Sequence, residues 1–315
     1  MYTVRHPSKI IFGKNSAQTF SFPKNALLIT SKGAESRGWL DYINIKDFEI
    51  FDSVEPNPSM ETIEKILTEF KSDYSSIIGL GGGSSLDVAK FVGFKLHKNK
   101  ILIPTTFGSG SEVTRISVLK VNNKKTSFHY DDLIANVAIV DPFFIKNAPF
   151  SIIKNSAIDA CAQCTEAFDS KLANTYTKFF CQKAFDILEK ALFDEKYDDL
   201  AYGAMISGLG FGNSSTTLGH ALSYVFSNEG YSHGHALAFT TTIAHKFNNS
   251  QFFEKFKQLV EKLNFEPILL KQNFEIASDT IFLDRKHLDY NPKIVTKEII
   301  VNLLKEINNK KISEF

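Results

Sequence analysis

Three polar side chains in the second half of the chain have the chemistry of a metal site. Asp159 lies in a predicted helix, and His220 and His233 follow further along the chain. A carboxylate and neutral imidazoles suit Fe²⁺ or Zn²⁺, and three protein ligands leave one coordination position open for a substrate oxygen. An aspartate and two histidines occur in most proteins, so packing or surface roles stay open for them. We interpret other histidines, among them His245 and His287, as surface or packing residues.

A glycine-rich turn in the first half of the chain is suited to phosphate binding. The apolar run 76–80 leads directly into Gly81, Gly82, Gly83 and Ser84, after which a helical pattern follows. A helix that begins there presents backbone N–H groups at its positive end, and the missing Cβ atoms let a pyrophosphate approach closely. The turn is neither a Walker loop nor a GxGxxG motif, so a purely structural turn is the alternative.

A second polar turn, residues 104–112, follows the next predicted strand. It contains the hydroxyl side chains of Thr105, Thr106 and Ser109. Hydroxyls and small residues at the carboxyl end of a parallel strand suit the ligand crevice of a doubly wound sheet. Because two such turns follow successive strands, we favour a ligand site over a flexible turn.

Hydrophobic periodicity predicts the elements that position these residues in the first half. Short apolar runs bounded by Gly, Pro, Ser or Asp predict strands at Ile10–Phe12, Ala26–Thr30, Phe48–Phe51, Ser76–Leu80, Ile101–Ile103 and Val137–Val140. Helical spacing predicts helices at Pro58–Phe70, with Ser59 as the N-cap, and at Ser84–Lys95. This alternation implies a parallel, doubly wound sheet, and Arg115–Tyr130 predicts a β-hairpin that projects from it.

The second half of the chain favours helices alone. The predicted helices cover Ile152–Asp169, Thr175–Leu192, Tyr197–Leu209, Thr217–Phe226, Ala236–Phe247, Gln251–Leu263 and Thr296–Ile307. We therefore predict an α/β, Rossmann-like domain with a parallel sheet over residues 1–148 and an all-α domain over residues 149–315. Cys161 and Cys164 share one face of the first of these helices. Since the sequence has no second CxxC, we interpret them as packed thiols rather than a redox or zinc pair.

The composition excludes several classes of partner. Lys and Arg total 36 and Asp and Glu total 35, which gives a net charge of +1 and argues against a nucleic-acid binder of the usual basic type. No window approaches the roughly 18–20 apolar residues of a membrane-spanning helix. Three cysteines are too few for a disulfide framework. We therefore expect a cytoplasmic protein without nucleic-acid or membrane partners.

Taken together, the motifs resemble those of the iron-containing alcohol dehydrogenase family (group III), and the resemblance runs nearly end to end. It is carried by KIIFGKNS, VEPNPSMETIEK, IIGLGGGSSLDVAK, IPTTFGSGSEVT, VAIVDP, AIDACAQCTEAFDS, GHALSYVFSNEGYSHGHAL and NPKIVTKEIIVNLLKEI. The resemblance implies the dehydroquinate synthase-like fold that this family has, a nicotinamide cofactor, one divalent metal (Fe²⁺ or Zn²⁺) and a homodimer.

The resemblance also assigns roles to individual residues. The nucleotide contacts that it implies are Gly81, Gly82, Gly83, Ser84, Asp87, Lys90, Thr105, Thr106 and Ser109. The metal ligands that it implies are Asp159, Gln163, His220 and His233. Gln163 stands at a position that is normally histidine, and its oxygen is a weaker ligand than imidazole. Tyr224 stands where many members have a further histidine, and we count it with His220 and His233 as catalytic candidates.

Cofactor preference depends on the residues that follow the second strand. Ala26–Thr30 is followed by Ser31 and Lys32, without the acidic residue that often binds the ribose 2′-OH in NAD-using relatives. Lys32 is suited to a 2′-phosphate. We therefore predict cofactor contacts at Ser31 and Lys32 and a preference for NADP(H) over NAD(H).

The predicted function is that of a metal-dependent NAD(P)(H) oxidoreductase. It interconverts a small aldehyde, such as a semialdehyde or phosphonoacetaldehyde, and its primary alcohol, acting as a reductase. The alternatives are a degenerate nucleotide-binding member without dehydrogenase activity, suggested by Gln163, and a dehydroquinate-synthase-like lyase. The candidate cations for an anionic substrate are Arg115, Lys154 and Lys246.

Overall fold

The structure is a computed structural model that describes residues 1–70, 73–122, 124–146 and 148–315. By its internal contacts the chain divides into two compact units, Met1–Ala148 and Pro149–Phe315. The strands of the described chain all lie in the first unit, and the second unit is helical.

A six-stranded parallel sheet forms the centre of the first unit. The strands in chain order are β1 (Lys9–Phe12), β2 (Ala26–Ile29), β3 (Phe48–Phe51), β4 (Ser76–Gly81), β5 (Asn99–Pro104), β6 (Ile116–Val121), β7 (Lys124–His129) and β8 (Val137–Val140). The sheet has the order β1-β8-β5-β4-β2-β3, and its neighbours all pair in parallel. β6 and β7 form a separate antiparallel hairpin. The predicted sheet and hairpin are confirmed, and Asn123 of the predicted turn lies outside the described residues.

The α-helices in the described part of the first unit are α1 (Ser16–Thr19), α2 (Trp39–Ile43), α3 (Met60–Glu69) and α4 (Gly83–Lys95). The predicted N-cap of α3 is confirmed, because the Ser59 hydroxyl accepts a hydrogen bond from the Thr62 N–H at 3.3 Å. The sequence did not predict α1 and α2, which are too short to establish a helical period.

Burial explains why the strands that carry the two polar turns are uninterrupted apolar runs. Every residue of β4 is buried, and β5 is buried from its second residue onward. A strand covered on both faces has no solvent side that would select polar residues. Since β4 and β5 are parallel neighbours, their carboxyl ends bring the turns that follow them to the same edge of the sheet.

The second unit contains nine described α-helices, and several of them pack around one central helix. They are α5 (Phe150–Asp169), α6 (Thr175–Phe193), α7 (Tyr197–Phe211), α8 (Leu218–Asn228), α9 (His233–Asn248), α10 (Phe253–Leu263), α11 (Phe274–Phe282), α12 (Arg285–Asp289) and α13 (Lys297–Ile307). The central helix α5 packs against α6, α7, α8, α9 and α10.

The largest differences between prediction and structure in the second unit are the start of α9 and two helices that the sequence did not predict. α9 begins at His233, three residues before the predicted start, because Gly234 continues the helix where its backbone packs tightly on Asn155. α11 and α12 were not predicted, since both are short and lack a long apolar period. Asn273 caps α11 and Asp284 caps α12 through side-chain hydrogen bonds to backbone N–H groups.

Candidate metal and nucleotide sites

Asp159, His220 and His233 form one cluster in the second unit. Asp159 lies on α5, His220 in the first turn of α8, and His233 at the first position of α9. Asp159 Oδ1 is 3.8 Å from His220 Nε2 and 3.7 Å from His233 Nε2, and the three ligand atoms lie within 4.8 Å of one another. An ion at a typical distance of about 2.1 Å from each ligand needs separations of this order.

The environment of His220 fits a bound divalent metal. Its Nε2 is buried and has no hydrogen-bond partner, an expensive state for a polar atom that a metal would relieve. Burial lowers the pKa of His220, but the carboxylates of Glu166 and Asp159 outweigh this effect and raise the pKa to about 9. These carboxylates therefore favour a positive charge at the ring. The side chain of His233 is 34% exposed, so the cluster is open on that side.

Gln163 lies one turn after Asp159 on α5 and contacts that carboxylate. Its Nε2 donates a hydrogen bond to Asp159 Oδ1 at 2.9 Å, and its Oε1 is buried without a hydrogen-bond partner. The oxygen that Gln163 contacts is the same one that approaches both histidines. In this arrangement the amide nitrogen of Gln163 holds a ligand of the cluster, and direct ligation through its unpartnered Oε1 stays a prediction.

Glu166, which the sequence did not assign, contacts the opposite side of the His220 ring. It lies on α5 with its side chain 1% exposed, and it accepts hydrogen bonds from His220 Nδ1 and from the backbone N–H groups of Thr217 and Gly219. Burial raises the pKa of Glu166, but the His220 charge and these hydrogen bonds lower it overall. The sequence feature that could have indicated Glu166 is its position in the EAF segment, one helical turn after Gln163.

Tyr224 and His287 line the cluster with their rings. The Tyr224 ring lies parallel to the His233 ring with centroids 6.3 Å apart, and the His287 ring lies parallel to the His220 ring at 6.2 Å. Burial and nearby carboxylates raise the pKa of Tyr224, so its hydroxyl keeps its proton. His287 Nδ1 is held by Asp284 Oδ2 at 2.6 Å. We expected His287 to be a surface or packing residue. The spacing of Asp284 and His287 at i and i+3 is the sequence feature that could have indicated this hydrogen-bonded position beside the cluster.

The cysteines confirm the prediction of packed thiols. Cys161, Cys164 and Cys181 are free and buried. Burial raises the pKa of Cys161 and raises that of Cys164 to about 12, so neither is a reactive thiolate at neutral pH.

The two polar turns of the first unit lie against each other. The Thr105 N–H donates a hydrogen bond to the Gly81 carbonyl at 2.9 Å. A Cβ added at Gly82 would lie 3.1 Å from Thr106 Oγ1, and one added at Gly83 would lie 2.9 Å from Ser109 Oγ. Gly81 has a φ of +152°, at the edge of the region that favours glycine. The structure therefore brings together most of the residues that we predicted as nucleotide contacts.

The start of α4 has the features of an anion site. Gly82 is the N-cap and provides no side-chain hydrogen bond to the first turn. Ser84, the second residue of the helix, is half-buried. Uncapped N–H groups at a helix start, in a turn without Cβ atoms, are suited to a pyrophosphate.

Asp87 and Lys90 contact protein backbone rather than an open site. The Lys90 amine is fully buried and donates hydrogen bonds to the carbonyls of Ser111 at 2.9 Å and of Ile116. Asp87 accepts from the Ser111 hydroxyl at 2.6 Å and from the Val118 N–H at 2.9 Å. We predicted direct cofactor contacts for both. The structure instead shows them holding the segment after the second polar turn against α4.

Ser31 and Lys32 follow the end of β2, which is the neighbour of β4. The Thr30 hydroxyl donates to the Leu80 carbonyl at 2.6 Å, which fixes the end of β2 beside the glycine-rich turn. Lys32 is exposed. Arg37, which the sequence did not single out, lies in the same loop, where its guanidinium would be 2.9 Å from a Cβ at Gly33.

The three candidate cations for an anionic substrate are occupied elsewhere. Arg115 pairs with Asp131 at 3.0 Å. The Lys154 amine donates to the Leu263 and Asn264 carbonyls. Lys246 pairs with Glu306 at 2.8 Å. Across the described parts of the chain, none of the helices has the length and hydrophobicity required to cross a bilayer.

Known proteins match both units of the chain. The model of the iron-containing alcohol dehydrogenase family matches residues 7–142, and that of the C-terminal region of the Fe-containing family matches residues 153–282. The 4-hydroxybutyrate dehydrogenase of Clostridium kluyveri is 30% identical over 79% of this chain and 83% of its own length. The NADPH-dependent butanol dehydrogenase of Clostridium saccharobutylicum is 25% identical over 96% of this chain and 83% of its own length.

A solved structure shows the same fold. The iron-containing alcohol dehydrogenase of Thermococcus thioreducens has a TM-score of 0.89 at 21% identity, with 99% of this chain and 100% of that chain covered. The parallel sheet followed by a helical region is therefore the fold of these enzymes, as predicted. On the two family matches and the 30% identical relative, the chain belongs to the iron-containing alcohol dehydrogenase family and is an oxidoreductase.

Proposed function

We propose that this protein is a metal-dependent oxidoreductase that uses NADP(H) to reduce a small aldehyde to its primary alcohol. The observation that carries the proposal is the Asp159, His220 and His233 cluster with its unpartnered, buried His220 Nε2. The glycine-rich turn and the uncapped start of α4 supply the features of a nucleotide site.

The chemistry divides between the bound groups and the chain. When bound, the divalent metal polarises a carbonyl oxygen and the reduced nicotinamide supplies a hydride. Asp159, His220 and His233 hold the metal, and Gln163 holds Asp159 by its amide N–H. Tyr224 keeps its proton at Oη, because burial and nearby carboxylates raise its pKa, and its ring lies parallel to that of His233. We assign this hydroxyl as a hydrogen-bond donor to the substrate oxygen, and the proton of the product alcohol comes from solvent.

The first test is a panel of aldehydes with NADPH or NADH and added Fe²⁺ or Zn²⁺. We expect carbonyl-dependent oxidation of the nucleotide by the metal-loaded protein. His233→Ala should abolish it, whereas His97→Asn, a matched change of an exposed histidine, should not. Asparagine is chosen because His97 has a φ of 53°, which asparagine tolerates. No turnover with any aldehyde would favour the nucleotide-binding alternative, and undiminished turnover in His233→Ala would refute the role of the metal.

The preference for NADP(H) is supported by Lys32 and Arg37 at the loop after β2 and by the name of the NADPH-dependent relative. We expect Lys32→Glu to lower kcat/KM for NADPH by about tenfold or more, since a charged hydrogen bond to phosphate contributes about 1.5–3 kcal/mol. The kcat/KM for NADH should change little. Lys46→Glu, a charge reversal at another exposed lysine, should leave kcat/KM for both nucleotides unchanged. A clear NADH preference in the unmodified protein would contradict the assignment.

The substrate class that we propose is a small, uncharged aldehyde. The three lysine and arginine candidates for an anionic group are occupied by protein partners. The relative from Clostridium kluyveri is named for 4-hydroxybutyrate, so the panel should pair the corresponding four-carbon semialdehyde with butanal. We expect butanal to be the better substrate by kcat/KM, and the reverse ranking would favour a semialdehyde.

We also propose a cytoplasmic homodimer. The edge position of β1 in the sheet supports the dimer. The three free, buried cysteines support the cytoplasmic location. Light scattering should give a mass of twice the 35.4 kDa chain, and a single-chain mass would contradict the dimer.

A further inference from the structure

We propose that Glu166 is a positioning residue that fixes the tautomer and orientation of the His220 ring for metal binding, and that Gly219 provides the space it needs. This inference rests on the proposed metal site. Glu166 belongs to none of the groups assigned above as metal ligands or catalytic candidates, and its role follows from the contacts around one buried carboxylate.

Both oxygens of Glu166 accept hydrogen bonds from the start of α8. Oε1 accepts from the Gly219 N–H, and Oε2 accepts from the Thr217 N–H at 3.2 Å and from His220 Nδ1. One side chain of α5 thus caps α8 from outside and holds the ring that α8 carries. A negative charge at a helix N-terminus is also favourable to the helix dipole.

The contact with Glu166 determines which ring nitrogen of His220 can bind a metal. An ionised carboxylate only accepts hydrogen bonds, so the contact requires a proton on His220 Nδ1. Nε2 is then the nitrogen left for a metal, and it lies 3.8 Å from Asp159 Oδ1 with no hydrogen-bond partner. A carboxylate that holds the far nitrogen is the usual support for a metal-ligating histidine.

Gly219 is the residue that lets Glu166 approach so closely. A Cβ at this position would lie 2.4 Å from Glu166 Oε1 and 2.7 Å from Thr241 Oγ1. No side chain fits between the carboxylate and α9. A glycine is therefore needed directly before His220, because a side chain there would keep Glu166 away from the backbone and ring of α8.

A purely structural role predicts a different response to substitution. If Glu166 only capped α8, then Glu166→Gln would retain one acceptor oxygen for the Gly219 N–H. Its amide NH₂ would then face His220 Nδ1, and a donor there stabilises the tautomer that carries the proton on Nε2. That tautomer has no lone pair at the nitrogen that faces Asp159. A fall in metal affinity without a matching fall in the stability of the metal-free protein is therefore evidence for the positioning role.

The first experiment measures Zn²⁺ affinity by calorimetry for the unmodified protein, Glu166→Gln and Ser214→Ala. Ser214→Ala is the matched control, because it removes another hydrogen bond to α5, to the Ala167 carbonyl, without touching His220. We expect the Zn²⁺ dissociation constant to rise about 10–100-fold in Glu166→Gln and to stay unchanged in Ser214→Ala, with the stability of each metal-free protein measured alongside.

The outcomes separate this inference from the proposed function. Equal Zn²⁺ affinity in Glu166→Gln and the unmodified protein would overturn the role of Glu166 and leave the metal site standing. An equal loss of affinity in Ser214→Ala would reduce Glu166 to a structural residue and overturn the inference. Absence of Zn²⁺ binding by the unmodified protein would contradict the metal site and the inference together.

A second measurement needs no variant of Glu166. Nitrogen-15 NMR of the histidine-labelled, zinc-loaded protein reports which ring nitrogen carries the proton, and His220 is assigned by the signal lost in His220→Gln. We expect a proton on His220 Nδ1 and zinc at Nε2. A proton on Nε2 with zinc at Nδ1 would overturn the inference even if Glu166→Gln failed to fold.

Discussion

The nucleotide turns of the first unit and the metal cluster of the second are built from different parts of the chain. The turns offer backbone N–H groups and the space left by missing Cβ atoms, at Gly82 and Gly83. The cluster offers three side chains from three separate helices. A backbone site therefore fails when atoms are added, and a side-chain site fails when atoms are removed.

Both regions nevertheless depend on a buried ion that binds backbone groups of a neighbouring segment. In the first unit the Lys90 ammonium binds carbonyls that follow the second polar turn. In the second unit the Glu166 carboxylate binds N–H groups that precede and begin α8. The charge of each ion matches the backbone groups it must satisfy, because carbonyls accept and N–H groups donate. Substitutions that change one of the two sites without the other therefore test this comparison between the nucleotide turns and the metal cluster.

The largest effect is expected at the side-chain site. Asp159→Ala removes the oxygen that approaches both histidines, so we expect metal binding to be lost. Turnover should fall by about a thousandfold or more, since a metal Lewis acid contributes several kcal/mol to the reaction. Metal content and kcat measured on the same preparation check this. Loss of activity with full metal content would contradict the assignment of Asp159 as a ligand.

Removal of the buried ion in the first unit should affect stability most. Lys90→Met leaves Asp87 buried without its partner at 3.4 Å and leaves carbonyl groups unsatisfied. Breaking such a pair typically costs about 3–5 kcal/mol of unfolding free energy. Urea unfolding followed by a probe in the first unit measures it. Lys95→Met, a substitution at an exposed lysine, is the control. An equally small change of the unfolding free energy in the two variants would show that Lys90 does not stabilise this segment.

Addition of atoms to the glycine turn should weaken nucleotide binding while sparing the metal. The side chain of Gly82→Val would collide with Thr106, which lies 3.1 Å from the first added carbon. We expect the KM for NADPH to rise about tenfold or more, equivalent to about 1.4 kcal/mol, with Zn²⁺ affinity unchanged. Ser84→Ala, which removes a hydroxyl but keeps the backbone, should have a smaller effect. A larger effect in Ser84→Ala would contradict a site built from backbone.

The last predicted effect depends on pH and concerns Glu112, which is buried near Lys90. Burial raises its pKa to about 7, although its own backbone hydrogen bond and Lys90 act in the opposite direction. The folded protein therefore binds this proton more tightly than the unfolded chain, so stability decreases as the pH rises from about 4.5 to about 7. Glu112→Gln should be more stable than the unmodified protein by about 1–2 kcal/mol at pH 8.

The difference for Glu112→Gln should shrink at pH 5, because the folded form still holds the proton there and the unfolded chain also begins to bind it. Urea unfolding at the two pH values measures it. A stability difference that does not depend on pH would show that the side chain is ionised throughout, contrary to its burial.

The sequence predicted the sheet well because buried parallel strands leave uninterrupted apolar runs between turn residues. Phe48–Phe51 and Val137–Val140 match the observed strands at both ends. It missed α11 and α12, whose short lengths carry no clear period. The start of α9 was placed too late because Gly234 normally weakens a helix, and here tertiary packing against Asn155 compensates.

The candidate site was predictable only in part, for physical reasons. Asp159, His220 and His233 could be proposed from their chemistry and the family motifs, since metals require those residue types. The roles of Glu166, Asp87 and Lys90 depend on which backbone groups lie across from them, and this follows from tertiary contacts far apart in sequence. Spacing along the chain contains no information about such partners.

The central claim is that one divalent metal binds between Asp159, His220 and His233. Anomalous diffraction from crystals grown with Zn²⁺, recorded at the zinc absorption edge, tests it most directly. The account predicts one peak in the second unit, at about 2.0–2.2 Å from Asp159 Oδ1, His220 Nε2 and His233 Nε2. No peak among these three atoms in zinc-loaded crystals, or a peak ligated by other residues, would contradict it.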